Sequence, residues 1–232
     1  MIRAVVFDLD GVLIESEELW DQARRQVVAD QGGRWRDDAT TAMQGMSSPE
    51  WAAYLRDRLG VELPTDRIVG LVVHHLLASY RERLPLLPGA VEVVDRIGER
   101  WPLGLASSAN RVVIDAVLAT AGLDGAFAAT VSSDEVAHGK PAPDVYQEAA
   151  RRLGEPPASC AAVEDSANGI RSAVAAGLTV IAVPNRTFPP PDDALAEAAT
   201  VVDSLDELTV ELVDRLGRGE ASSGRARRAR PR

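Results

Sequence analysis

The chain has 232 residues, of which 46% are hydrophobic and 26% charged, enough to bury one large core without disulfide or metal staples. Its formal charge of −10 is uneven: residues 217–232 carry six arginines against Glu220, a local +5 that leaves the body at −15. An acidic body excludes nucleic acid as the main ligand, and it requires an anionic substrate to meet cations gathered at one place.

Met1 leads straight into an apolar run, Ile2–Leu9, with no signal-peptide pattern ahead of it, which points to the cytoplasm. The run ends in "VVFDLDGVL", where Asp8 and Asp10 bracket Leu9 and Gly11 makes the turn. Two carboxylates this close do not both stay ionised without a cation or a proton. The same residues also suit an ordinary Asp-Gly strand exit. A calcium loop fails on ligand spacing and on its later glutamate.

From about Glu15 to Leu87 the patterns are helical: "SEELWDQARRQVVADQGG", "SSPEWAAYLRDRLG" and "TDRIVGLVVHHLLASYRERL". Ser48 before Pro49, and Thr65, are the expected helix starts. A helix over Ala90–Arg100 and a strand over Leu103–Ser107 follow. That strand ends in Ser107 and Ser108, and the next helix, Val112–Ala121, begins near Asn110. Hydroxyls and free N–H groups at a helix start make an anion site, although Ser108 can equally be a plain cap.

After a strand at Ala128–Ser132 comes "VAHGKPAPDVY". Of 25 basic residues, Lys140 is the only lysine, held between Gly139 and Pro141. A compact ammonium can bridge a carboxylate and a phosphate oxygen where a planar guanidinium overfills the space. The helix Asp144–Leu153 leads to a strand, Cys160–Val163, that exits in Glu164, Asp165 and Ser166 before the helix Gly169–Ala176. Those acids are either caps for that helix or, with Asp8 and Asp10, an oxygen-rich cluster suited to Mg²⁺. Cys160 is the only cysteine, which fits a reducing compartment and burial in a strand. Trp51, Trp101, Tyr54 and Tyr146 read as packing residues. Strands at Thr179–Val183 and, weakly, Thr200–Val202 complete the alternation, and "GRGEASSGRARRARPR" has no apolar period and reads as a disordered tail.

Strand–helix alternation with nearly all-apolar strands predicts an α/β fold: a Rossmann-like parallel sheet with helices on both faces. Gly122, Gly154 and Gly177 stand where helix C-caps belong. The expected organisation is a core of residues 1–14 and 88–216, an inserted α-helical cap over 15–87, and the basic tail at 217–232. The longest apolar stretches fall well short of the ~20 residues that span a bilayer, so no membrane partner is expected.

Four strand ends carry, in order, paired acids, a hydroxyl, a lysine and paired acids. "DLDGVL", "LASS", "GKPAPDVY" and "EDSANGIRSAVAAG" resemble the four motifs of the haloacid dehalogenase superfamily of phosphohydrolases. The insertion is similar to the small helical cap of its β-phosphoglucomutase-like members. The resemblance implies that Asp8 is the nucleophile and forms an aspartyl phosphate. Asp10 is then the acid and base, Ser107 holds a phosphoryl oxygen, and Lys140 pairs with that group and with Asp8. Asp165 binds Mg²⁺ with Asp8 and the Asp10 carbonyl, and Glu164 binds it directly or through water. Ser108, Asn110, Glu15 and Trp20 are the expected substrate contacts. An acid at Asp10 argues for phosphate chemistry over dehalogenation.

The mutase has a cap histidine and a cap arginine. Trp20 falls at the first position, and matching "QGMSS" puts Ser48 at the second. "IESEELW" instead resembles hexose- and hexitol-phosphate phosphatases, with Glu15 replacing their aspartate. The expected function is a monomeric Mg²⁺-dependent phosphatase of small phosphorylated metabolites, with sugar or polyol phosphates first. A sugar phosphomutase and a catalytically silent binding protein are the alternatives.

Overall fold

The computed structural model of the protein describes residues 1–43, 46–185 and 189–219. Gln44 and Gly45 of the "QGMSS" match and residues 220–232 of the basic tail therefore lie outside the described residues.

Six parallel strands form one sheet: β1 (Ala4–Phe7), β2 (Leu103–Ser107), β3 (Ala129–Ser132), β4 (Cys160–Glu164), β5 (Thr179–Ala182) and β6 (Thr200–Val201), in the order β3-β2-β1-β4-β5-β6. β1 pairs with β2 through Phe7↔Leu105 and with β4 through Phe7↔Val163. Alternate β1 residues feed different cores, Val5 and Phe7 on one face, Ala4 and Val6 on the other. That two-sided burial is why the strands are apolar throughout, and each buried Val or Phe contributes roughly 1.5–3 kcal/mol.

Helices α5 (Ala90–Gly98), α6 (Arg111–Ala121) and α10 (Val210–Gly217) bury their apolar faces in the first core, and α7 (Asp144–Leu153) and α8 (Ala167–Ala176) in the second. A short helix, α9 (Asp192–Leu195), precedes β6. Helices α6, α7 and α8 each end on a glycine in the left-handed region, Gly122, Gly154 and Gly177, as expected.

The insertion is built from α1 (Glu17–Asp30), α2 (Ala39–Ala42), α3 (Ser48–Leu59) and α4 (Thr65–Glu82), with α1 and α3 against α4. Trp20, Ala23, Val27 and Val28 on α1 meet the stripe Ile68, Val72, Leu76 and Tyr80 on α4. The two connecting segments run antiparallel: Glu15 N–H donates to Pro85 O and Leu87 N–H to Leu13 O, each at 2.9 Å.

The ladder is shorter than expected at β1, because pairing stops at Phe7 where the chain turns out of the sheet. The helix starts also shift by one. Ser47 is the cap of α3, and Glu50 closes back on its N–H and its hydroxyl, each at 2.7 Å. Thr65 is the first residue of α4, behind Pro64.

Candidate active site

The exits of β1, β2 and β4 and the loop after β3 meet at one rim of the sheet, where open α/β sheets hold ligands. Asp8 and Asp10 project there because the chain leaves β1 in a tight turn. Gly11 adopts φ +86, and its N–H donates to Ile14 O at 2.7 Å. A Cβ on Gly11 would stand 1.9 Å from Asp165 Oδ2, so the missing side chain is what admits Asp165 to the turn.

Lys140 is the hub. Its side chain is 6% exposed, and Nζ donates to Asp8 Oδ1 at 2.5 Å, Glu164 Oε1 at 2.6 Å and the Ala106 carbonyl at 3.0 Å. The Tyr146 ring lies beneath the ammonium, 5.0 Å from centroid to Nζ, and its hydroxyl donates to Glu164 Oε1 at 2.6 Å. The other oxygen of Glu164 accepts from Asp165 N–H at 3.1 Å and from Ser166 Oγ at 3.3 Å. Glu164 is thus fully buried with both oxygens taken, and a Cβ on Gly169 would collide with its carboxylate at 1.9 Å.

Burial pushes the Asp8 carboxyl up from 3.8 to about 8, against the pull of Lys140 and with the help of Glu164 and Asp10. Asp165 is driven well above the usual range by burial, Glu164 and Asp8. Burial opposes the charge on Lys140, but Asp8 and Glu164 outweigh it and hold the ammonium firmly protonated. Tyr146 is raised by burial and by Glu164.

Asp8, Glu164 and Asp165 offer carboxylate oxygens within 4.8 Å of one another. The donors are all oxygen, and two of the acids lack enough positive charge to ionise comfortably; both features fit a hard divalent cation. Asp8 and Asp165 reach the cavity, whereas Glu164 is spent on Lys140, Tyr146 and Ser166.

Asp10 is ringed by donors. Its Oδ1 accepts from the Ser16 hydroxyl in a short hydrogen bond and from Trp20 Nε1 at 3.3 Å, and its Oδ2 accepts from Ser107 Oγ at 3.4 Å. Ser107 is fully buried and also accepts from Ala109 N–H at 3.0 Å. Beside them is a cavity of about 340 Å³ between sheet rim and cap, lined by Asp8, Asp10, Lys140 and Asp165 below and by Trp20, Ser48 and Trp51 above.

Of the expected substrate contacts, Ser108 and Trp20 line this cavity. Asn110 caps α6 and spends its amide elsewhere, donating to both Asp134 oxygens and accepting from Ser48 Oγ at 3.1 Å. Glu15 accepts from Asn185 Nδ2 at 3.3 Å and stands outside the residues lining the cavity. Ser16 was not among the expected site residues, and Trp51 and Tyr146, read from the sequence as packing residues, also stand at the site. Tyr146 had a signal: six residues after Lys140, in the first turn of α7, it is placed to reach back beneath that loop.

The family model for haloacid dehalogenase-like hydrolases matches residues 2–177. The chain is 37% identical over 196 residues to Protein CbbY of Rhodobacter capsulatus, covering 79% of this chain and 86% of that protein. It is 35% identical over 190 residues to hexitol phosphatase B of Escherichia coli K12, covering 79% and 84%. The solved structure of CbbY from Rhodobacter sphaeroides in complex with phosphate superposes with a TM-score of 0.83 at 30% identity, over 92% of this chain and all of that one (100%).

Proposed function

The chain belongs to the haloacid dehalogenase-like hydrolase family, and from that premise we propose that it is a Mg²⁺-dependent phosphatase of small sugar or polyol phosphates. The observation that carries the reading is the buried Lys140 ammonium clamped between Asp8 and Glu164, beside Asp10 and open to a cavity of sugar-phosphate size. Relatives whose names specify hexitol and fructose-1-phosphate phosphatases support the substrate class.

Asp8 and Asp165, with the Asp10 carbonyl, would hold Mg²⁺, which when bound supplies positive charge to the carboxylates and to the phosphoryl oxygens. The Asp8 carboxylate attacks phosphorus in line, and the bond from phosphorus to the ester oxygen breaks. Asp10 gives its proton to that departing oxygen. Oδ1 is engaged by Ser16 and Trp20, so Oδ2, beside the rotatable Ser107 hydroxyl, is the oxygen through which that proton passes. Lys140 meets the charge on the transferring group as it develops. Asp10 then takes a proton from water, whose oxygen attacks the aspartyl phosphate. The bond from phosphorus to Asp8 breaks, releasing inorganic phosphate.

Glu164 acts in this reading through Lys140 and fixes where the ammonium points. The cap, residues 15–87, closes over the core about the paired connecting segments and keeps bulk water from the acyl phosphate. Trp20 and Ser48, at the positions of the two mutase groups, carry no cation, which favours hydrolysis over mutase chemistry. No helix among the described residues is long and apolar enough to cross a membrane, and Cys160 is buried and unpaired; both suit a cytoplasmic enzyme, which we take to be a monomer. Phosphate release from a panel of sugar, polyol and nucleotide phosphates, with Mg²⁺ and with EDTA, tests the reading. Metal-independent release, or a phosphorylated residue other than Asp8 in trapped enzyme, overturns it.

A further inference from the structure

The helical insertion presents a cation to which the described residues offer no hydrogen-bond acceptor. Arg24 lies on α1 one helical turn beyond Trp20, is 8% exposed, and lines the same cavity as Asp8 and Lys140. Its Nε has no hydrogen-bond partner among the described residues. The guanidinium carbon sits 5.5 Å from the Trp20 ring centroid and 5.4 Å from that of Trp51, so two indoles hold it in place. Glu17, Asp21 and Asp10 act on it through their charge, with no hydrogen bond to it. Glu17 shares the cavity wall, but burial pushes its carboxyl up and weakens it as a counter-ion.

A buried guanidinium short of acceptors is costly, and the cost is recovered when a ligand supplies them. Its planar fork suits two oxygens of one anionic group. Arg24 and Lys140 are the only basic residues among the described ones lining the cavity, and Lys140 is committed to Asp8 and Glu164. We infer that Arg24 anchors a second oxyanion, a phosphate or carboxylate at the end of the substrate remote from the transferring phosphoryl group. The inference rests on the phosphatase reading above and narrows its substrates to phosphomonoesters with two anionic ends.

The test compares matched pairs by phosphate release: fructose 1,6-bisphosphate with fructose 1-phosphate, and 6-phosphogluconate with glucitol 6-phosphate. In at least one pair the wild-type enzyme should favour the two-anion member by roughly tenfold or more in kcat/KM. Arg24→Gln should erase that preference mainly through KM, and Arg24→Lys should keep part of it. A preference confined to the first pair assigns a phosphate, and one confined to the second a carboxylate. Equal use of both members by the wild type in both pairs, or an Arg24→Gln enzyme that loses both members equally, overturns the inference. If Arg24→Gln does not fold, the wild-type preference and its partial retention in Arg24→Lys decide. No phosphate release from any member or from p-nitrophenyl phosphate, with Mg²⁺ present, sinks the phosphatase reading and this inference with it. Release from the one-anion members alone sinks only this inference.

Discussion

Trp20 on α1 of the cap donates its indole N–H to Asp10 at the exit of β1, 3.3 Å from Nε1 to Oδ1. The bond runs from the helical insertion to the rim of the sheet and ends on the residue proposed above to protonate the leaving group. Trp20→Phe keeps an aromatic ring against Trp51 and deletes the donor. A neutral hydrogen bond of ordinary strength predicts a kcat about threefold to tenfold lower, with the melting temperature little changed. Steady-state rates across pH check this. A loss expressed only in KM would mean that the ring contacts substrate and leaves Asp10 alone.

Lys140 is fixed by two buried carboxylates, so size and charge both matter. Lys140→Arg should cut turnover by roughly 100-fold or more, since the guanidinium cannot enter the space between Asp8, Glu164 and the Tyr146 ring. Lys140→Met leaves two buried acids without their cation and should lower stability by about 3–5 kcal/mol in metal-free buffer. Urea unfolding measures the second, and phosphate release the first. A Lys140→Arg enzyme near wild-type rate contradicts the steric account.

Asp165 and Glu164 are sequence neighbours with different predicted failures. Asp165 faces the cavity, whereas the oxygens of Glu164 are held by Lys140, Tyr146, Asp165 N–H and Ser166. Asp165→Asn should raise the Mg²⁺ concentration for half-maximal activity by about tenfold or more, the scale of losing a metal contact. Glu164→Gln should lower kcat and stability with a smaller shift in that concentration. Magnesium titrations of both variants check the contrast, and equal shifts would make Glu164 a direct ligand.

The raised acids set a pH signature. Asp8 moves from 3.8 to about 8 on folding, and Asp165 moves in the same direction. The folded state therefore binds more protons than the unfolded chain between those values, so metal-free stability is fullest below pH 4 for these groups and is lost as pH rises through about 8. A divalent cation relieves the same repulsion. Calorimetry should show a larger Mg²⁺-induced rise in melting temperature at pH 8 than at pH 5, and a rise independent of pH would contradict the assignment.

Much of this was legible from residue order alone. Buried parallel strands announce themselves as apolar runs, and the rim residues Asp8, Asp10, Lys140 and Asp165 each follow such a run closely. The lone lysine suggested a bridge from a carboxylate to a phosphate oxygen, and the bridge in the structure joins two carboxylates, Asp8 and Glu164. What the order concealed were bonds between distant segments. Ser48 to Asn110, Trp20 to Asp10 and Tyr146 to Glu164 depend on how cap and loops settle, which no periodicity records. The five hydrogen bonds that Glu164 accepts from Lys140, Tyr146, Asp165 and Ser166 are equally hidden in the residue order. Arg24 looked like one arginine among many because burial and the absence of an acceptor are invisible in a string of letters.

The strand order has a consequence for biosynthesis. β1 sits between β2 and β4, although β4 is the fourth strand translated. A ribosome that has produced the first three strands holds a half-sheet in which β1, the strand that leads to Asp8, has a neighbour on one side only. Glu164, which orients the ammonium, and Asp165 arrive together once most of the polypeptide has emerged. A nascent chain without β4 therefore lacks half of the acidic rim, which is assembled only when β4 joins β1, before β5 and β6 extend the sheet.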